Sequence, residues 1–188
     1  MKIYIKNMVC DRCKLVIKNQ LNDLKLDPIS VELGEVDFGQ MELSPDQMKQ
    51  IKTNIEPLGF ELLDDKNSML VEKIKTLIIE LVHQNDEPIQ IKLSDYIRAH
   101  LNYDYHYLSN LFSSIEGTTI EHYYIQQKIE KVKELLVYDE LTLSEIAYQM
   151  GYSSVAHLSG QFKKITDLTP SHFKKLKDVR QRTPLDKL

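Results

Sequence analysis

Tryptophan is absent from the chain and cysteine nearly so, with two in 188 residues. Two thiols three positions apart cannot staple a small fold, so a disulfide framework is excluded as the source of stability. Long apolar runs are missing as well. They extend over only a few residues, as at Leu77, Ile78 and Ile79, whereas a helix that spans a bilayer needs about 18 or more. The first residues, Met1 to Asn7, hold no extended apolar stretch before a small-residue cleavage site, so no secretory signal is expected and a cytoplasmic location is. Six glycines and six prolines are too few for a collagen-like or low-complexity chain, and 28% charged with 42% hydrophobic residues is the balance of an ordinary folded protein. Catalytic constellations are lacking too: no Ser/His/Asp order, no phosphate-cradling glycine loop and no metalloprotease motif occurs, so the chain is not expected to be an enzyme.

Net charge is also small, at −4, which taken alone argues against a polyanionic partner. The charge is unevenly spread. Residues 1–68 carry 9 basic and 12 acidic side chains, residues 69–140 carry 7 and 12, and residues 141–188 carry 8 and 4. A basic C-terminal segment is thereby hidden in the average, and such asymmetry points toward nucleic acid or a membrane surface.

In the first third, Lys2 to Lys6 and Ile29 to Leu33 alternate polar with apolar residues, the period of a half-buried strand. Between them, Leu15, Val16, Leu21, Leu24 and Leu26 stand at mostly helical spacings. Ser44, followed by Pro45 and by Gln47 three residues after the cap, announces a second helix through Met48, Ile51 and Ile55. Phe60 to Leu63 closes the series as a short strand. Strand, helix, strand, strand, helix, strand is the order of a ferredoxin-like βαββαβ sandwich, with the central hairpin, between Ile29 and Leu43, the least defined part. The run Asp64 to Ser68 has no apolar residue. It divides a domain 1–64 from a helical domain 70–180 by a linker at 65–69, with a tail at 181–188. The first helix of the second domain, about Met69 to Gln84, aligns Leu70, Ile74, Leu77, Ile78, Leu81 and Val82 on one stripe.

The second domain contains an internal repeat at an offset of 50 residues. Leu93-Ser94 returns as Leu143-Ser144, Leu108-Ser109 as Leu158-Ser159, Phe112 as Phe162, Ile115 as Ile165 and Thr119 as Thr169. Each copy, about 93–115 and 143–165, reads as helix, tight turn and helix, with Asp104 and Ser154 as caps and Gly151 at the second turn. A long amphipathic helix, about Thr119 to Leu136, joins them, so the fold class is α+β with an all-α second domain. A helix-turn-helix sets its second helix in the DNA major groove, with the N-terminal residues of that helix meeting base edges. In the first unit Leu108, Leu111, Phe112 and Ile115 form the expected buried stripe, leaving Tyr105, His106, Ser109, Asn110 and Ser113 outward, with His106, Ser109 and Asn110 to face bases. Asn110 is the strongest reader, since its amide pairs bidentately with adenine. In the second unit the outward set, Val155, Ala156, Ser159, Gly160 and Lys163, is poor in hydrogen-bonding groups, which, unless Gln161 or His157 turns inward, suits methyl contacts, shape and phosphate binding. Lys163, Lys164, Lys174 and Lys175, continued by Lys177, Arg180 and Arg182, supply the phosphate-facing charge.

Several segments together resemble the AraC/XylS transcriptional regulators over roughly residues 70–178. They are Leu143 to Ala147, Gly151-Tyr152-Ser153, His157-Leu158-Ser159, Phe162-Lys163-Lys164 and Leu168 to Lys174. Tyr124, Lys128, Leu135 and Leu136 match the connecting helix, with lysine where that family usually has arginine. Asp167 stands where it commonly has glycine, and Gly160 where it often has a long polar residue. The resemblance implies one chain placing two helices in successive major-groove segments, RNA polymerase as a partner if the regulator activates, a homodimer if the first domain pairs, and no membrane.

Met8-Val9-Cys10-Asp11-Arg12-Cys13 lies between the first strand and the first helix. Two thiols so spaced can converge on one soft ion, Cu(I) or Zn(II). Two sulfurs suffice for near-linear Cu(I) and leave a tetrahedral zinc site two ligands short. The six histidines all lie outside this region and show no paired ligand spacing. With the segment Ile55 to Glu61, the motif resembles the heavy-metal-associated domain of copper chaperones and copper-transporting ATPases over about residues 1–64, with Asn7 and Val9 in place of glycine and threonine. The resemblance implies that Met8 supports the loop and Phe60 shields it. Alternatives that the residues leave open are metal trafficking or buffering, a dithiol redox switch, and a domain kept for dimerisation.

Overall fold

The computed structural model describes residues 1–63, 66–85 and 87–176. The chain divides into two compact units, Met1–Thr76 and Leu77–Leu188.

The first unit is built on a four-stranded antiparallel sheet of β1 (Lys2–Lys6), β2 (Ser30–Glu32), β3 (Glu35–Asp37) and β4 (Glu61–Leu63), in the order β2-β3-β1-β4. The central hairpin closes through Leu33 and Gly34, with Glu32 opposite Glu35 and a positive φ of 73° at Gly34. Helices α1 (Asp11–Asp23) and α2 (Pro45–Ile55) complete the layer. The Ser44 signal is a full capping box: the Gln47 amide donates to Ser44 Oγ while Ser44 N–H donates to Gln47 Oε1 at 2.8 Å. Ile3, Ile5, Ile17, Leu21, Val36, Ile51 and Ile55 are all but closed to solvent and form the core.

The helical stripe expected of α1 is corrected by this core. Ile17 and Leu21, an i, i+4 pair, point inward, whereas Leu15 is 60% and Val16 37% exposed. The expected linker is corrected too, since α3 (Lys66–Ile79) begins at Lys66 and residues 66–69 are helical. Its first turns belong to the first unit. Lys73 lies 4.7 Å from the centroid of the Tyr4 ring and pairs with Glu35 at 3.5 Å. Since Tyr4 alternates with the inward Ile3 and Ile5, α3 covers the sheet face opposite to them.

The second unit is helical. After a π-helical turn at Glu80–Gln84 come α4 (Leu93–Leu101), α5 (Tyr105–Glu116), α6 (Ile120–Tyr138), α7 (Leu143–Gln149), α8 (Val155–Thr166) and α9 (Pro170–Leu176). Pairs α4–α5 and α7–α8 pack on the long α6, whose Ile120, Tyr123, Ile129, Val132 and Leu136 are buried. No helix among the described residues is long and apolar enough to cross a membrane.

Candidate functional site

Caps start the second helix of each helix-turn-helix unit at equivalent positions, 50 residues apart, while the turns before them differ. In the first, Asn102 adopts a left-handed conformation (φ 52°) at the end of α4, and Asp104 Oδ1 accepts from the amides of His106 (2.9 Å) and Tyr107 (3.1 Å) to start α5. In the second, α7 begins with a Thr142–Glu145 capping box, Gly151 (φ 64°) makes the turn, and Ser154 Oγ accepts from the His157 amide at 3.1 Å. A glycine is required at that turn for two reasons. Its φ is left-handed, and a Cβ there would collide with the carbonyl oxygen of Ile89, whose own N–H donates to the Gln149 carbonyl at 2.9 Å. The second helix of each unit also ends alike, on Gly117 (φ 68°) and, 50 residues later, on Asp167 (φ 60°). Aspartate is among the few other residues that tolerate this conformation.

Burial sorts the recognition helices. In α5, Leu108 and Phe112 are closed to solvent and Leu111 is half-buried, but Ile115 is 41% exposed, which corrects its place in the buried stripe. The helix's last turn runs past the core there. His106 and Asn110 are exposed and Ser109 is half-buried, and Asn110 Nδ2 donates to His106 Nε2 at 3.3 Å. In α8, Leu158 and Phe162 are buried, Ala156 and Gly160 are exposed and Ser159 is half-buried. His157 is turned back on its own turn, with Nδ1 3.1 Å from Ser153 Oγ and its ring edge-on to Tyr152.

The lysines are divided. Lys163, Lys164 and Lys175 are exposed. Lys174 forms a solvent-exposed ion pair with Asp139, at the end of α6. Lys177, Arg180 and Arg182 lie outside the described residues. The helix α9 is fixed by Phe173, buried edge-on against Phe162 with centroids 5.5 Å apart.

One buried cation was not foreseen as such. Lys128 of α6 is 6% exposed, and its ammonium lies 3.8 Å from the Tyr152 ring centroid and 5.3 Å from that of Tyr124. Burial pushes its pKa down to about 8, and burial raises that of Tyr124 to about 12. The aromatic faces hold the charge and tie α6 to the second turn.

In the first unit, Cys10 is the N-cap of α1 and Cys13 lies in its first turn, with the two sulfurs 3.5 Å apart. Burial raises the Cys10 thiol, but the amides of Cys13 and Arg12, the Cys13 thiol and the Arg12 charge outweigh it and hold the pKa below the ordinary value. Cys13 is shifted upward, by burial first and by the Cys10 sulfur beside it. Met8 is fully buried and Phe60 is 8% exposed. Asn7 takes the left-handed conformation (φ 71°), its amide donates to Glu72 Oε1 of α3 at 3.1 Å, and its side chain donates to the Gly59 carbonyl at 2.9 Å. An asparagine in a glycine's place was the only trace of this anchor in the sequence. Among the described residues no group of three or more His, Cys, Asp or Glu side chains gathers as a metal site.

Comparison with known proteins bears on the second unit. Residues 97–176 match the helix-turn-helix domain family. An uncharacterised helix-turn-helix-type transcriptional regulator of Staphylococcus aureus is 28% identical over 113 residues, covering 60% of this chain and 14% of its own length. The transcriptional activator RhaR of Salmonella schwarzengrund is 26% identical over 150 residues, covering 80% of this chain and 49% of the activator. The chain thus spans less than half the length of these relatives. The C-terminal domain of AraT, a response regulator from Geobacillus stearothermophilus, superposes with a TM-score of 0.52 at 23% identity, covering 64% of this chain and 95% of that domain. The caps Asp104 and Ser154, an exposed face on each second helix and the family match together make the segment 97–176 a helix-turn-helix domain.

Proposed function

We propose that the chain is a transcription regulator that binds double-stranded DNA through its two helix-turn-helix units, under the control of a soft metal ion, Cu(I), taken by Cys10 and Cys13. The observation that carries the DNA-binding half is the pair of capped units 50 residues apart, each presenting an exposed face on its second helix. That the named relatives are transcriptional regulators supports the same reading.

The two units divide the work. The first offers the amide of Asn110, which reads adenine, and the second offers Lys163 and Lys164, which neutralise phosphates irrespective of sequence. The positions equivalent to these lysines in the first unit are Ser113 and Ser114. Binding of random duplexes, followed by fluorescence anisotropy over a range of salt, tests the reading. The wild-type chain is expected to lose affinity steeply with salt, and Lys163→Ala with Lys164→Ala to reduce the log–log slope by about 2, roughly one for each lost contact. Salt-independent or negligible binding overturns it.

For the N-terminal unit we infer a ferredoxin-like domain of the heavy-metal-associated kind. The element order and the strand order β2-β3-β1-β4 support this. Two adjacent sulfurs, one held toward thiolate, suit a two-coordinate soft ion, whereas zinc would need two further ligands. Control would follow by linkage, through different affinities of the metal for the DNA-binding and non-binding states. Anaerobic titration with Cu(I) is expected to give one tight site, lost in Cys10→Ser and in Cys13→Ser. Equal binding by these variants overturns the metal assignment and leaves DNA binding untouched.

A further inference from the structure

We propose that His106 is not a second base reader but the residue that positions Asn110, holding its amide by a side-chain hydrogen bond where it can read adenine. The inference rests on the DNA-binding reading above and deepens it. His106 and Asn110 lie four residues apart on the exposed face of α5, where side chains of one helix meet. Asn110 Nδ2 lies 3.3 Å from His106 Nε2. An amide nitrogen carries only hydrogens, so Nε2 is the acceptor and the imidazole proton sits on Nδ1.

This contact uses one Nδ2 hydrogen and leaves the other, with Oδ1, as a donor and an acceptor for a base. Adenine offers an acceptor at N7 next to a donor at N6, which is the complement. The start of α5 is held by Asp104, which accepts from the amides of His106 and Tyr107, so the helix carrying the pair is fixed. The same two positions of the second unit, 50 residues on, are Ala156 and Gly160. Neither has a polar side-chain atom, so the paired reader exists in the first unit alone.

Selection by the full-length chain from a library of duplex DNA with a random central stretch, followed by affinities for the selected duplex and its three substitutions at each position, tests the proposal. Both side chains are exposed, and circular dichroism checks that the variants keep their fold. Asn110→Ala is expected to lose discrimination at one adenine position by roughly tenfold or more. His106→Ala is expected to lower discrimination at that same position by about three- to tenfold, the worth of one hydrogen bond. The double variant should be no worse than Asn110→Ala. His106→Gln, which places an acceptor oxygen at the same bond count, should restore the preference. Loss of discrimination at a different position in His106→Ala, or none at any position, overturns the positioning role while leaving DNA binding in place. Failure of the wild-type chain to select any sequence overturns the DNA-reading function itself, and the positioning role with it.

Discussion

Lys128 shows how a single residue can be both a cost and a fastener. Its ammonium is buried among aromatic faces, and desolvation lowers its pKa from 10.5 to about 8. The folded state therefore holds this proton less tightly than the unfolded chain does. Below pH 8 the lysine is charged in both states and the full penalty stands. Between pH 8 and 10 the folded form releases the proton first, so stability should rise with pH by about 2 kcal/mol at 1.36 kcal/mol per unit. Above about pH 10 the unfolded tyrosines begin to ionise, and Tyr124 and Tyr152, whose folded pKa values burial raises, act in the opposite direction. Urea midpoints at pH 7.5, 8.5 and 9.5 for the wild type and Lys128→Met would check this, since the difference between the two, wild type minus variant, should grow by this amount as the pH rises. Asp104 is a simpler case at this scale. As the cap of α5 it satisfies two amides, and Asp104→Ala should cost about 1 kcal/mol in thermal or urea denaturation.

At the scale of elements, the two helix-turn-helix units differ where their glycines differ. Gly151 combines a left-handed φ with the carbonyl of Ile89 against it. Gly151→Ala should therefore destabilise by about 3 kcal/mol, the backbone strain of roughly 1–2 kcal/mol plus the displacement of a packed strand of chain. Gly160 is the opposite: it lies inside α8 with ordinary φ and open space around it. Gly160→Ala should stabilise by about 0.5–1 kcal/mol, through the unfolded state, and raise the melting temperature. Repeats, caps and turns are read well from sequence because each is local. The offset of 50 residues, the caps Asp104 and Ser154 and the left-handed Asp167 all stand in the structure as the residues required. What was less legible depended on which partner an element met. Leu15 and Val16 have helical spacing as good as that of Ile17 and Leu21, but only packing on the sheet and α2 decides which face of α1 turns inward. Likewise Lys66 to Ser68, with no apolar residue, reads as a linker until the helix that follows is seen to find the sheet through Lys73 and Tyr4. Lys174 belongs here as well, because its counter-ion, Asp139, lies 35 positions away.

For the whole molecule, the useful quantity is the distribution of charge rather than its sum. The −4 of the chain would steer it away from DNA, yet residues 141–188 carry +4. Association should then be orientation-dependent and accelerated at low salt, with Lys163 and Lys164 leading. Stopped-flow rates are expected to fall with ionic strength in the wild type and much less in the Lys163→Ala, Lys164→Ala variant.

The contact between Ile89 and the second turn has a consequence for how the chain comes into being. Ile89 precedes the first helix-turn-helix unit, yet its backbone is held by Gln149 and packs against Gly151 at the turn of the second. Synthesis proceeds from the N-terminus, so Ile89 leaves the ribosome some sixty residues before the turn that receives it. The first unit emerges whole in that interval, but the seat for Ile89 does not yet exist. The helical unit therefore cannot complete itself one helix-turn-helix at a time during translation and closes only after the turn of the second unit has been released. A nascent chain stalled with α7 still inside the tunnel should accordingly remain as open to protease around Ile89 as the unfolded chain.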